Sequence, residues 1–288
     1  MTTGRRWLQG CGVGCGVLLL VGVGSCIVGT LFLKHTFRGI EKANASHGAL
    51  VAEMGHVDAY VPPPDGSPPP DRIELFVAVR EEVAGDRARV DKAIAGLRIP
   101  ELGEEGAVIG KIKLGLEALG DLIDGIGTYL QARDRALLER RMGLGEYVYI
   151  YTLTYYSWLG HTPGEAPEVR QDPDGVRVGV FDEDSGVFSE QAVRRRYRRY
   201  ILPMTGAQLA SVEQEAEAGD GEAWRSRLER EVQRLEVDPG RVLWQDSLPA
   251  AIEDSLQPFR ERLEAAYTPS TNPFELPLAK HEVPWEWQ

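Results

Sequence analysis

Glu53 and His56 stand three residues apart, the spacing at which a helix aims a carboxylate and an imidazole at one di-iron centre. That chemistry takes a second such motif and two further glutamates. None of His35, His47, His161 or His281 has a glutamate three residues before it, so the pair predicts no metal site. Asp182-Glu183-Asp184-Ser185-Gly186, with Glu190 downstream, opens like a calcium loop. Its glycine comes one place too early and the closing glutamate is absent, so a solvated acidic loop is expected. Asp172-Pro173-Asp174-Gly175 is a turn sequence. Ser157 and His161, four residues apart, resemble the start of a nucleophile–base pair, but nothing marks a third member. No nucleophile elbow, phosphate loop, dinucleotide fingerprint or His-Glu-x-x-His motif occurs. Catalytic residues are therefore left unassigned, and no cofactor or metal is expected.

Two runs are dense in rings or charge. Arg194 to Tyr200 (RRRYRRY) suits nucleic acid or lipid phosphates in composition. On a helix, Val193, Tyr197, Tyr200, Ile201 and Met204 fall within an arc of about 100°, which leaves the arginines on the rest of the circumference. The expectation is an amphipathic helix whose basic face pairs with acidic neighbours; contact with an anionic membrane is the alternative. Glu146 to Leu159 (EYVYIYTLTYYSWL) has strand-forming side chains, yet Tyr147, Tyr151, Tyr155 and Trp158 share a helical face. A helix is expected over 146–159, with its rings in the core rather than as a platform for sugars or lipids.

These residues need elements to position them, and charge divides the chain. Net charge is −12, but residues 1–42 hold five of the 32 basic residues and one of the 44 acidic ones, so the remainder carries −16. That balance repels phosphate polymers and argues against nucleic acid. Cys11, Cys15 and Cys26 all lie before Leu33, so the rest of the chain has no disulfide and suits an oxidising compartment.

From Gly10 to Leu33 no residue is charged. As helix, Cys11–Leu33 spans about 34 Å against a hydrocarbon core of about 30 Å, so a transmembrane anchor over 10–34 is expected. Val23-Gly24-Ser25-Cys26 has the small residues of a lipoprotein site, but an apolar Ile27–Leu33 follows. A cleaved signal would have a shorter apolar stretch, so an uncleaved anchor is preferred. Basic residues flank both sides almost equally, and a short N-terminal tail (1–9) favours the large domain outside. Gly10/Gly14 and Gly12/Gly16 have the spacing of close helix contacts, although glycine is common in membrane helices.

Residues 35–59 predict a helical stalk, and 60–70 (YVPPPDGSPPP) a proline-rich linker. An α-helical domain is expected over 71–267. A first helix, 71–97, has Ile73, Phe76, Val77, Val83, Val90, Ile94 and Leu97 on one face. Ile109, Ile112, Leu116, Leu119, Ile123, Ile126 and Leu130 then alternate at three- and four-residue steps, resumed by Leu137 after Arg133. Five glycines between 110 and 127 weaken that helix by about 1 kcal/mol each, so it depends on close packing. Its expected partner is the 71–97 helix of the same molecule, with Leu119 and Ile123 nearly fully buried; self-association is the alternative. A short hairpin from Val176 to Phe188 and helices over 189–202, 205–218, 222–236 and 248–267 follow. Residues 268–288 predict an extended proline- and tryptophan-containing tail, anchored by Phe274, Leu276, Trp285 and Trp287.

The fold class expected is thus mainly α: a single N-terminal transmembrane helix followed by a bundle-like domain, with one short β-hairpin. The function expected is a membrane-anchored envelope protein acting as a non-enzymatic interaction or structural module. Its partners are the membrane through 10–34 and a protein in the envelope, with no nucleic acid and a monomeric state. A membrane-tethered hydrolase or transferase with a dispersed active site is the alternative.

Overall fold

The computed structural model describes residues 41–96, 108–165, 189–216 and 222–277; these are mainly helical, with no strand among them. The helices are α1 (41–54), α2 (Pro70–Glu82), α3 (Ala84–Gly96), α4 (Val108–Glu139), α5 (Leu144–Tyr151), α6 (Glu190–Ala216), α7 (Glu222–Val237), α8 (Ala250–Leu256), α9 (Arg260–Ala265) and α10 (Asn272–Glu275). Thr152–Trp158 continues α5 as a π-helix. Among the described residues no helix is long and apolar enough to cross a membrane. The transmembrane run, Cys26, the Val176–Phe188 hairpin, the Asp182–Gly186 loop, Trp285 and Trp287 lie outside them.

The helix read as a stalk lies on the domain: Leu50 of α1 is fully buried and Ala43 nearly so. A turn at Val57–Ala59 then meets α5 at Gly145. A Cβ on Gly145 would come within 2.4 Å of the Val57 carbonyl oxygen, so only glycine lets the backbones approach this closely. The proline-rich segment also binds the domain. Gly66 accepts from the Tyr149 hydroxyl (2.8 Å), Pro63 from Gln208 (2.8 Å) and Pro64 from the Trp224 indole (2.5 Å).

The 71–97 helix is two helices. The break at Val83 separates α2 from α3, and no proline or glycine precedes it to announce the end of α2. As expected, α4 packs on α3 within the molecule, with Gly125 directly over Val90. The seam is rotated, however. Ile123 is only half-buried, whereas Leu122 and Tyr129 are sealed with Val83, Val90, Ile94 and Phe274 in a smaller core. The Leu119 side chain lies outside the described residues. The reason is competition for the interior: Tyr129 hides more apolar surface than Ile123 and has a buried hydroxyl partner, so it sets the rotation.

The helix expected over 146–159 is found over 144–158, and its tyrosines belong to the main core. Ser189 caps α6 by accepting from the Ala192 amide at 3.2 Å. The expected break at Pro203 does not occur; α6 runs through it. Pro203 is exposed, so its ring projects into solvent, and the nearby Thr205 hydroxyl donates to the Ile201 carbonyl at 2.7 Å. Past Tyr267, Pro269–Thr271 and Asn272–Glu275 form helical turns rather than extended chain, and they insert between α4 and α5.

Candidate functional site: a sealed ionic core around Glu275

Glu275 is 1% exposed and accepts from three helices and its own segment. Tyr129 of α4 donates to Oε1 at 2.7 Å, Tyr147 of α5 to Oε2 at 2.8 Å, and Thr271 to Oε1 at 3.2 Å. The Arg80 guanidinium of α2 closes a direct ion pair on Oε1 and also donates to the Tyr147 oxygen at 2.9 Å. Arg133 of α4 stands 3.8 Å from Oε2, donates to the Phe274 carbonyl at 3.0 Å, and grips Asp134 at 2.9 and 3.0 Å. Arg87 of α3 reaches the carbonyls of Arg80 (3.0 Å) and Ala266, the latter shared with Arg80. None of these three arginines is more than 4% exposed.

Burial alone would raise the Glu275 carboxyl. Arg80 and Arg133, with the Tyr129 hydrogen bond, outweigh burial and hold it below the usual carboxylate range. Burial likewise opposes ionisation of Asp134, and Arg133 and His47 bring its carboxyl down. The hydroxyls of Tyr129 and Tyr147 are pushed up by burial, so they stay protonated and donate. The cluster thus has fixed charges, stationary protons and buried ionic side chains. Its chemistry is that of a cross-link.

A second polar centre adjoins it. Asn272, fully buried, takes the hydroxyls of Tyr151 (3.0 Å) and Tyr156 (2.7 Å) on its oxygen. Its amide donates to the carbonyls of Thr162 (3.1 Å), Pro163 (3.2 Å) and Glu165 (2.7 Å). In an α-helix, residues five apart point well away from each other. The π-helical turn brings Tyr151 and Tyr156 into line, so both reach one acceptor.

No family model, curated protein or solved structure matches the chain.

The residues singled out by spacing are not brought together. Ser157 donates to the Leu243 carbonyl at 2.7 Å, while His161 faces Glu165 at 2.9 Å and stacks on Tyr267 at 3.7 Å. Glu53 and His56 are exposed. Among the described residues no three His, Cys, Asp or Glu side chains converge to hold a metal. In the arginine run, Arg194 bonds Glu190 (2.8 Å) and the Gly240 carbonyl (2.7 Å), and Arg198 the Glu236 carbonyl (2.5 Å). For Arg194 and Arg198, backbone carbonyls beyond α6 thus share the pairing with a carboxylate. Arg196 departs from the solvent-facing expectation and is fully buried.

The ionic core itself was missed, although a signal for it exists. Ile73, Phe76, Arg80, Val83, Arg87, Val90 and Ile94 keep steps of three and four, so Arg80 and Arg87 stand inside the apolar stripe. Arg133 does the same between Leu130 and Leu137. Charge at a seam position marks a buried ion that requires a partner; nothing local identifies Glu275 as that partner.

Proposed function

We propose that this chain is a membrane-tethered, non-enzymatic module of the cell envelope, with residues 10–34 as anchor and the helical domain on the outer side. The observation that carries the non-enzymatic reading is the closure of the Glu275 network. The side chains richest in chemistry are spent on one another, joining α2, α3, α4, α5 and the 269–277 segment into a single body. Such cross-linking favours one rigid shape over reactivity, and a fixed shape suits docking or spacing. A charge-selective contact with a monomeric domain fits its surface, since Val61 and Val237 are the large apolar side chains exposed among the described residues. The tether rests on the uncharged Gly10–Leu33 run, and the absence of cysteine after Cys26 accords with an outer position.

The full chain is expected to sediment with membranes through a high-salt wash, and a chain lacking residues 1–34 to remain in the supernatant. A reporter that works only outside the cytoplasm, fused after Gln288, is expected to be active. Retention of the shortened chain on washed membranes, or activity of a cytoplasm-only reporter at the same position, overturns the reading.

A further inference from the structure

Between α7 and the loop that follows it lies a cleft of about 290 Å³. Arg227, Arg230 and Arg234 recur at steps of three and four on α7, so one face of the helix brings all of them to it. Trp244, Asp246 and Ser247 of the loop form the other wall.

That loop is braced around an unfavourable conformation. Trp244 has φ 57°, a left-handed backbone that bulky side chains seldom adopt. Its amide donates to Glu231 Oε1 at 2.8 Å, and the Leu243 amide donates to the Tyr197 hydroxyl at 2.7 Å. Arg241 fastens the loop to Glu231 through two bonds of 3.2 and 3.0 Å. Strain maintained by surrounding bonds in this way concentrates at ligand clamps. Here it sets the Trp244 ring beneath the Arg227 guanidinium, 5.4 Å from the ring centre.

The Trp244 indole is buried, and its N–H has no acceptor. Its neighbour Trp224, 5.5 Å away, gives its own N–H to the Pro64 carbonyl.

Charge selects the ligand class. Glu231 is occupied by Arg241, and Asp246 is shared by Arg234 and Arg241, each at 2.8 Å. Arg227 donates to the Ser247 carbonyl at 2.9 Å, and Arg230 is exposed; neither has a carboxylate within ion-pair distance among the described residues. A surplus of positive charge therefore faces solvent on a chain whose net charge is −12. Guanidinium forks match paired oxygens on phosphate and carboxylate alike, but surplus charge from more than one arginine suits a phosphate best. The volume is at the lower edge of ligand sites, which run about 300–1,000 Å³, and so limits the ligand to one phosphate and a small alcohol.

We infer that the Arg227–Arg230–Arg234–Trp244 cleft binds the phosphate group of a small phosphate ester, either a free molecule or the headgroup of a lipid. The site stands independently of the tether, so failure of one leaves the other untouched. The full chain in phosphatidylcholine nanodiscs, titrated with sn-glycerol 3-phosphate in a calorimeter, is expected to saturate with a Kd below about 1 mM. Arg230→Gln is expected to weaken binding about tenfold with an unchanged melting temperature, since Arg230 is exposed and holds no bond among the described residues. Competition when the discs contain phosphatidylglycerol assigns the lipid headgroup as the source, and an unaffected titration assigns a free ester. No saturation by about 10 mM, equal binding of acetate, or unaltered affinity in Arg230→Gln overturns the inference.

Discussion

Glu275 on α10 and Glu231 on α7 are both carboxylates buried against arginine, 1% and 2% exposed. Their surroundings differ in what lies beyond the first partner. Around Glu275, further arginines are met by Asp134 or by backbone carbonyls, and tyrosine hydroxyls fill its remaining acceptor positions. Around Glu231, the pair with Arg241 backs onto a cleft where Arg227 and Arg230 have no carboxylate among the described residues. The same type of contact thus closes one region and leaves the other charged toward solvent. A buried ion pair is not itself a sign of function; the balance of the next shell decides whether a site can receive anything.

The largest expected effect comes from Glu275→Gln. It leaves Arg80 and Arg133 buried without their shared counter-charge, and such losses cost about 3–5 kcal/mol. Urea denaturation followed by far-ultraviolet circular dichroism checks this, and a midpoint like that of the parent chain would sink the claim that the network is a cross-link. Glu231→Gln should cost less, about 1–3 kcal/mol, because Arg241 keeps Asp246 and can turn to water. Equal losses from the two substitutions would erase the contrast between closed and open regions.

The smallest effect is a pH response. Glu275 and Asp134 have carboxyls held below their ordinary range, so their stabilising contribution is complete above the unfolded carboxylate values, near about 4. It is lost as pH falls through the lower folded values. The melting temperature should therefore drop on acidification below about pH 4, and Glu275→Gln should flatten that drop. A parent and variant with parallel pH profiles would show that the slope arises elsewhere.

How much of this was legible in the sequence follows from the range of each signal. Local periodicity gave the helices, the Ser189 cap and the inward tyrosines, because each depends on neighbours within a turn or two. The break at Val83 and the unbroken passage through Pro203 were hidden, since packing sets both. The rotation of α4 turns on whether Tyr129 or Ile123 takes the interior, which depends on a hydroxyl acceptor 146 residues away. Of the ionic core, Arg80, Arg87 and Arg133 were readable as charges inside apolar stripes, while Glu275 sits in a segment whose prolines suggested an extended tail. The Trp244 cleft left only the spacing of its arginines in the sequence, because the left-handed turn opposite them has no glycine to announce it.

The Arg80–Glu275 contact spans 195 positions, and this has a consequence for the order of events on the ribosome. While the chain is being made, α2, α3 and α4 emerge with their arginines long before the carboxylate they enclose. Closing so large a loop is slow and entropically costly, so α2–α5 must wait in a loosely packed state with their charged stripes wet. Arrival of residues 269–277 then acts as the completing step, at which the stripes dry and the domain becomes rigid.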